Sequence, residues 1–214
     1  MASLGSYLFL TVNGLYKGPG EDISWHRHGA EEAKFSQESL GQGNVLVLGR
    51  RTYEMMASWW PTPAAAAAMP EVADGMNRSR KLVLTRKPFE PGWENTTVVT
   101  GDVVGEMRRR KAARGPDMTI LGSGEIVSLL ARHGLVDEFQ FMIDPVAMPE
   151  GTRVFAGLQE KLDLRLVDSR VFESGVVLLT YRPTAISAEP QPAGRNEERK
   201  PNAPSSRKGS GGAR

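Results

Sequence analysis

Short apolar runs alternate along this chain with stretches whose apolar residues recur at helical spacing. Val45-Leu46-Val47-Leu48 has no polar interruption, which is the pattern of a strand buried on both faces. Tyr7–Val12, Lys81–Thr85, Thr96–Thr100 and Met118–Leu121 read as further strands. Between them lie amphipathic segments. Ala30–Leu40 places Ala30, Ala33, Phe35 and Leu40 on one rough face and ends at Gly41–Gly43. Thr52–Trp59 follows Gly49 at once and is stopped by Pro61-Thr62-Pro63. Ala64–Ala68 and Val72–Asn77 read as short helical pieces. Asp102 is placed to cap a helix running to Arg114, and Gly122-Ser123-Gly124 opens another that runs to about His133.

After Gly134 the order changes. Val136–Ile143 is a strand, and Asp163–Phe172 and Val176–Arg182 are two more, joined by the short turn Glu173-Ser174-Gly175. Strand and helix in alternation, followed by a hairpin, predict an α/β fold. The expected architecture is three layers, α/β/α, around a central mixed, mostly parallel sheet with a C-terminal antiparallel hairpin. Leu15–His28 shows no period and contains Gly18-Pro19-Gly20; a loop of that length inside a domain is often functional.

Composition changes this picture in three places. Past Tyr181 there is no aromatic residue, and Pro, Ser, Gly and scattered charge fill the rest. Residues 1–183 are therefore expected to fold as one domain, with 184–214 as a disordered basic tail that buries too little apolar surface to offset its ordering entropy. That tail carries six basic and three acidic residues of a chain whose net charge is +2, so the body stands at −1. The body is close to neutral, so the whole-chain basicity says little about its partners; a small-molecule substrate is expected, and nucleic acid is not. With no cysteine, disulfides and thiolate chemistry are excluded. No run approaches the roughly 20 apolar residues a membrane helix needs, and no signal peptide is legible, so the expected location is the cytoplasm, away from membranes.

Three strand exits carry the candidate chemistry: Gly49-Arg50-Arg51-Thr52, Thr85-Arg86 and Gly122-Ser123-Gly124. A strand running into a helix N-terminus leaves free N–H groups and the positive end of the helix dipole facing outward, which suits a phosphate. Parallel neighbouring strands would bring all three exits to one sheet edge. So much positive character suits a phosphorylated dinucleotide such as NADPH. A GxGxxG fingerprint is absent. His26 and His28 lack a third ligand nearby, so no metal site is expected. Glu31 and Glu32 open a helix, where a carboxylate is favourable for the dipole alone.

Five motifs in order carry a resemblance. They are Gly49-Arg50-Arg51-Thr52-Tyr53-Glu54, Lys81-Leu82-Val83-Leu84-Thr85-Arg86, Leu121-Gly122-Ser123-Gly124, Gly134-Leu135-Val136-Asp137-Glu138 and Ser174-Gly175-Val176-Val177-Leu178-Leu179. With them the chain resembles the dihydrofolate reductase-like family. More narrowly, it resembles the branch of the reductase domain of bifunctional riboflavin-biosynthesis deaminase-reductases. The resemblance implies an NADPH-dependent reductase of a small heterocyclic substrate, either dihydrofolate reductase-like or a riboflavin-pathway-like 5-amino-6-(5-phosphoribosylamino)uracil reductase. A homodimer formed through the C-terminal strands is also implied. By position, Gly49, Arg50, Arg51 and Thr52 would hold phosphate, and Thr85 and Arg86 the 2′-phosphate region. Gly122, Ser123 and Gly124 would lie at the pyrophosphate. Gly14–Trp25 would be the loop over the nicotinamide, Asn13, Trp25, His26 and His28 would line the substrate, and Glu32 would be the proton-donating carboxylate. Two departures bear on the substrate: Asn13 stands where the riboflavin branch usually has Asp, and Pro145-Val146-Ala147-Met148-Pro149 lacks the branch's usual glycine. The alternative is a non-catalytic NADPH- or pterin-binding protein of the same fold.

Overall fold

Eight strands form one sheet whose order explains why the apolar runs are unbroken. In the computed structural model, which describes residues 1–184, the strands of this sheet are β1 (Leu4–Thr11), β3 (Val45–Gly49), β4 (Lys81–Leu84), β5 (Thr96–Val99), β6 (Met118–Leu121), β7 (Glu138–Asp144), β9 (Leu164–Val171) and β10 (Val177–Pro183). Their order is β5-β4-β3-β6-β1-β7-β10-β9. All pairings from β5 to β7 are parallel, and β10 is antiparallel to both β7 and β9. The sheet is thus mixed, mostly parallel, and closed at one side by the hairpin. Two short strands, β2 (Leu15–Lys17) and β8 (Thr152–Arg153), pair separately. The tail expected at 184–214 lies, beyond Thr184, outside the described residues.

Helices α1 (Ala30–Gly41), α2 (Arg50–Trp59), α3 (Pro63–Ala68), α4 (Pro70–Arg78), α5 (Val103–Ala112) and α6 (Gly124–Arg132) cover both faces. β3 shows the physical reason for its sequence. Val45 and Val47 pack with Met107 of α5 and Val127 and Leu130 of α6. Leu46 and Leu48 pack on the other side with Tyr53 of α2 and Val72 and Met76 of α4. A strand covered on both faces has no position to give to a polar residue. Further along that second face, Tyr7, Met142 and Leu178 pack with Phe172 and Val176 against Phe35 of α1. β9, at the sheet edge, leaves Leu166 and Val171 exposed.

Several boundaries differ from those read off the chain. β1 begins at Leu4, because Leu4 and Ser6 lie in register with β6 and β7. α2 begins at Arg50, two residues early, with Gly49 extended (φ −77°, ψ 157°) as its N-cap. The aperiodic Leu15–His28 segment contains β2 and a 3₁₀ turn, Pro19–Glu21, which three-residue elements cannot announce by periodicity. Asp102 caps α5 as expected, accepting from the Gly105 N–H at 2.8 Å. Asp102→Ala is expected to lower stability by about 1 kcal/mol in urea unfolding. No helix among the described residues is long and apolar enough to cross a membrane.

Candidate functional site

Because β4, β3 and β6 are parallel neighbours, their carboxyl ends lie side by side on one edge of the sheet. From that edge emerge all three predicted exits. Gly49 ends β3 and caps α2, whose first three residues are Arg50, Arg51 and Thr52. Thr85 and Arg86 follow β4, and Gly122 and Ser123 connect β6 to α6.

Hydrogen bonds stitch the two helix mouths together. The Gly49 N–H donates to Ser123 Oγ at 2.9 Å, and Ser123 Oγ donates to the Leu121 carbonyl at 3.1 Å. The Gly122 N–H donates to the Tyr7 carbonyl at 3.0 Å, which ties this turn to β1. Gly122 has φ +63°, and a Cβ there would stand 3.3 Å from Thr52 Cγ2 and 3.4 Å from Met56 Cε. Glycine is needed for the left-handed backbone and for the approach of α2.

Arg50 and Arg51, at the edge, are paired within the protein. Arg50 Nε donates to Glu54 Oε1 at 2.7 Å, and its guanidinium stacks over the Phe89 ring at 4.7 Å. Arg51 Nη1 reaches Glu21 Oε1 at 3.3 Å, and Glu21 also receives Lys17 Nζ at 2.8 Å. Thr85 Oγ1 turns back to its own loop, donating to the Lys87 carbonyl. Arg86 is exposed and makes no ion pair among the described residues. Tyr16 lies over Gly124, where a Cβ would come within 2.6 Å of its ring. The segment from Leu15 to Glu21 therefore lies across the mouths of α6 and α2. A cavity of about 400 Å³, with Ser3, Gln42, Thr119 and Arg182 in its wall, is found at the opposite edge of the sheet. Its carboxylates are already engaged: Asp137 with Lys111, Glu138 with Arg182, and Asp117 with the Ser3 N–H.

A second group of polar residues stands beside the end of β1, on the α1 side. Tyr7 and Phe9 of β1 meet edge to face at 5.5 Å, and the His26 ring is stacked on Phe9 at 3.5 Å between centroids. His26 Nδ1 lies 2.6 Å from Asp144 Oδ2, with both side chains at most 1% exposed. The other oxygen of Asp144 accepts the Arg27 N–H at 2.8 Å. Arg27 Nη1 donates to the Ser174 carbonyl at 2.8 Å. Ser174 Oγ donates to Glu32, which is buried in the third position of α1, and the neighbouring Glu31 accepts the Glu173 N–H at 2.8 Å. Burial pushes the Tyr7 phenol well above its ordinary pKa, and the Glu32 and Asp144 carboxylates push it further. Burial also lowers the His28 pKa, and the His26 charge adds to that effect.

The predicted site residues thus fall into two groups. Gly49, Arg50, Arg51, Thr52, Gly122, Ser123 and Gly124 share one edge with Thr85 and Arg86 close by in the sheet order. His26, His28, Trp25 and Glu32 gather around the end of β1, with the Trp25 and His26 rings 6.3 Å apart. The Trp25 indole N–H donates to the Asp22 carbonyl at 3.1 Å. Asn13 stands apart: its carboxamide bridges the Met148 backbone and accepts from Thr11 Oγ1, pinning the turn after β1 to the loop after β7. Asp144 was not legible as a site residue. Its one sequence signal is a carboxylate closing an apolar strand immediately before Pro145, and the partner that makes it meaningful is 118 residues away. Among the described residues no three potential metal ligands are grouped.

Chemically, two helix mouths with their N–H groups facing out, flanked by arginines, can hold a pyrophosphate and a further phosphate. The donor set therefore fits a phosphorylated dinucleotide.

Comparison with known proteins finds relatives in sequence and in fold. An uncharacterised Bacillus subtilis (strain 168) protein, YyaP, is 25% identical over 175 residues, covering 81% of this chain and 91% of YyaP. A structure from Shewanella sp. PV-4, named for riboflavin biosynthesis, superposes with a TM-score of 0.67 at 18% identity, over 86% of this chain and 99% of that one. Dihydrofolate reductase from Enterococcus faecalis, complexed with NADP(H), superposes with a TM-score of 0.57 at 19% identity, over 86% of this chain and 97% of that one. These structures are similar in fold. The model of the RibD C-terminal domain family matches residues 6–178, and the chain belongs to that family.

Proposed function

We propose that the protein is an NADPH-dependent reductase of a small heterocyclic substrate, dihydrofolate reductase-like or similar to the pyrimidine reductase of riboflavin synthesis. The observation that carries this reading is the joining of two helix mouths at one sheet edge by the Gly49–Ser123 hydrogen bond, with Arg50 and Arg51 beside them. Family membership supports the reaction class. The chain's part would be to hold the cofactor by its phosphates and to shape the crevice between the starts of α1 and α2. NADPH, when bound, supplies the hydride.

NADPH at about one hundred times its Kd is expected to stabilise the fold by roughly 2.7 kcal/mol, and NADH at the same concentration by much less. Thermal unfolding with each nucleotide checks this; equal effects, or none, sink the cofactor assignment. Oxidation of NADPH across pterins, aminopyrimidines and quinones then separates a reductase from a binding protein, since only the former turns over. A homodimer through the exposed edge of β9 is part of the same proposal, and sedimentation equilibrium tests it.

A further inference from the structure

Glu32 is the carboxylate that the family resemblance offers as proton donor, yet it already has work in the fold. It accepts from Ser174 and lies against the backbone of Gly29 at the start of its own helix, holding the β9–β10 turn to α1. A different group is better placed to deliver a proton. His26 uses Nδ1 to meet Asp144, and among the described residues this is the ring's one hydrogen bond. Among the described residues no buried side-chain nitrogen or oxygen lacks a partner. Nε2 is therefore the ring nitrogen at the thin edge of the side chain's 1% exposure. Phe9 closes the face of the ring, while Trp25 and His28 stand edge-on beside it at 6.3 and 4.5 Å.

The place of this ring in the sheet matters as much as its bonds. Tyr7, whose carbonyl anchors Gly122, is two residues before Phe9 on β1, a rise of about 7 Å. The imidazole thus stands on the α1 side of the crevice whose other side carries the glycine turn and α2. Asp144 is fully buried and held by the Arg27 N–H, so its orientation is fixed before any ligand arrives. A buried carboxylate on Nδ1 keeps that nitrogen protonated, and leaves Nε2 to exchange a proton.

We propose that His26 is the proton donor of the site and that Asp144 is its positioning residue. The substrate class is a compound with a carbonyl or imine beside the crevice. This inference rests on the reductase reading above, which names NADPH as the source of hydride. As hydride reaches the substrate carbon, the Nε2–H bond breaks and a new bond forms between that proton and the substrate oxygen or nitrogen. The N–H electron pair stays on the imidazole, which regains a proton from water. Glu32 then holds the hairpin turn and takes no part in the transfer.

The chain has three histidines, so ring carbon–proton NMR of the full-length protein gives three resolvable signals, assigned with H28N and H133N. In D144N the His26 Cδ2 shift is expected to report loss of the single Nδ1–H form that Asp144 holds, with His133 unchanged. An unchanged His26 Cδ2 shift overturns the role of Asp144. In wild type, which needs no variant to fold, saturating NADPH is expected to move the His26 signal and leave His133 in place. NADPH that stabilises the protein while His26 stays unmoved overturns the donor assignment. No stabilisation by NADPH overturns the cofactor reading instead, and the D144N ring shifts still judge the pair. On any panel substrate that turns over, H26Q is expected to lower kcat about a hundredfold and E32Q less than threefold; the reverse order returns the role to Glu32.

Discussion

Replacing Lys81 by methionine is expected to destabilise the protein by about 3 kcal/mol, although Lys81 lies far from any proposed chemistry. The side chain is 1% exposed, and its ammonium donates to three carbonyls: Asn77 at 3.1 Å, Ser79 at 2.8 Å and Glu94 at 3.1 Å. It also sits over the Trp93 ring at 4.2 Å. Two of those carbonyls belong to the end of α4 and the residue after it, where a helix has acceptors without partners. Methionine keeps much of the volume and none of the donors, so the Ser79 carbonyl loses its ammonium partner, while the Asn77 and Glu94 carbonyls keep only the longer contacts from Asn95 Nδ2 at 3.2 Å and Thr96 Oγ1 at 3.4 Å. Equilibrium urea unfolding checks the loss. Lys81 also sets a pH dependence. Burial lowers its pKa to about 8, below the ordinary lysine value. Between that value and the unfolded-state pKa, the unfolded chain holds more protons than the native one, so this group makes stability rise with pH. The difference in stability between wild type and Lys81→Met should therefore widen from pH 8 to pH 10; a constant difference contradicts the assignment.

Arg50→Ala is expected to weaken NADPH binding by roughly 10- to 150-fold, the loss of one charge-assisted contact to a phosphate. Arg50 now pairs with Glu54 across one helical turn and stacks on Phe89. An exposed pair of that kind is worth less than about 1 kcal/mol, so it holds the guanidinium near the helix mouth without competing strongly with a phosphate. Phe89 fixes the plane of the guanidinium and reduces the entropy lost on binding. Isothermal titration with both nucleotides is the measurement. Equal losses for NADPH and NADH keep Arg50 on a phosphate common to both, a loss for NADPH alone moves it to the 2′-phosphate, and no loss removes it from the site.

How much was legible depended on the range of the physics involved. Val45–Leu48 announced a doubly covered strand because four successive apolar residues have no other economical home in a folded chain. Asp102 announced its cap, and Gly122 the close turn, since both act within a few residues. β2 and β8 were invisible because elements of two or three residues carry no period, and their pairing joins segments far apart in the chain. The start of α2 was misplaced by two residues because arginine suits a helix and a loop equally well; the extended Gly49 decides it.

The chain by itself determined the alternation of strands and helices, the antiparallel finish and the three phosphate-suited exits. These follow from local hydrophobic patterning and from what a strand-to-helix turn must leave unpaired. Only the tertiary structure decided that Tyr16 and Glu21 lie across those exits, and that Asn13 pins a turn. It alone joined Glu32 to Ser174 and His26 to Asp144. Each of those facts is a pairing across many residues of chain, set by strand order and by the need of buried polar groups for partners, and no local pattern carries it.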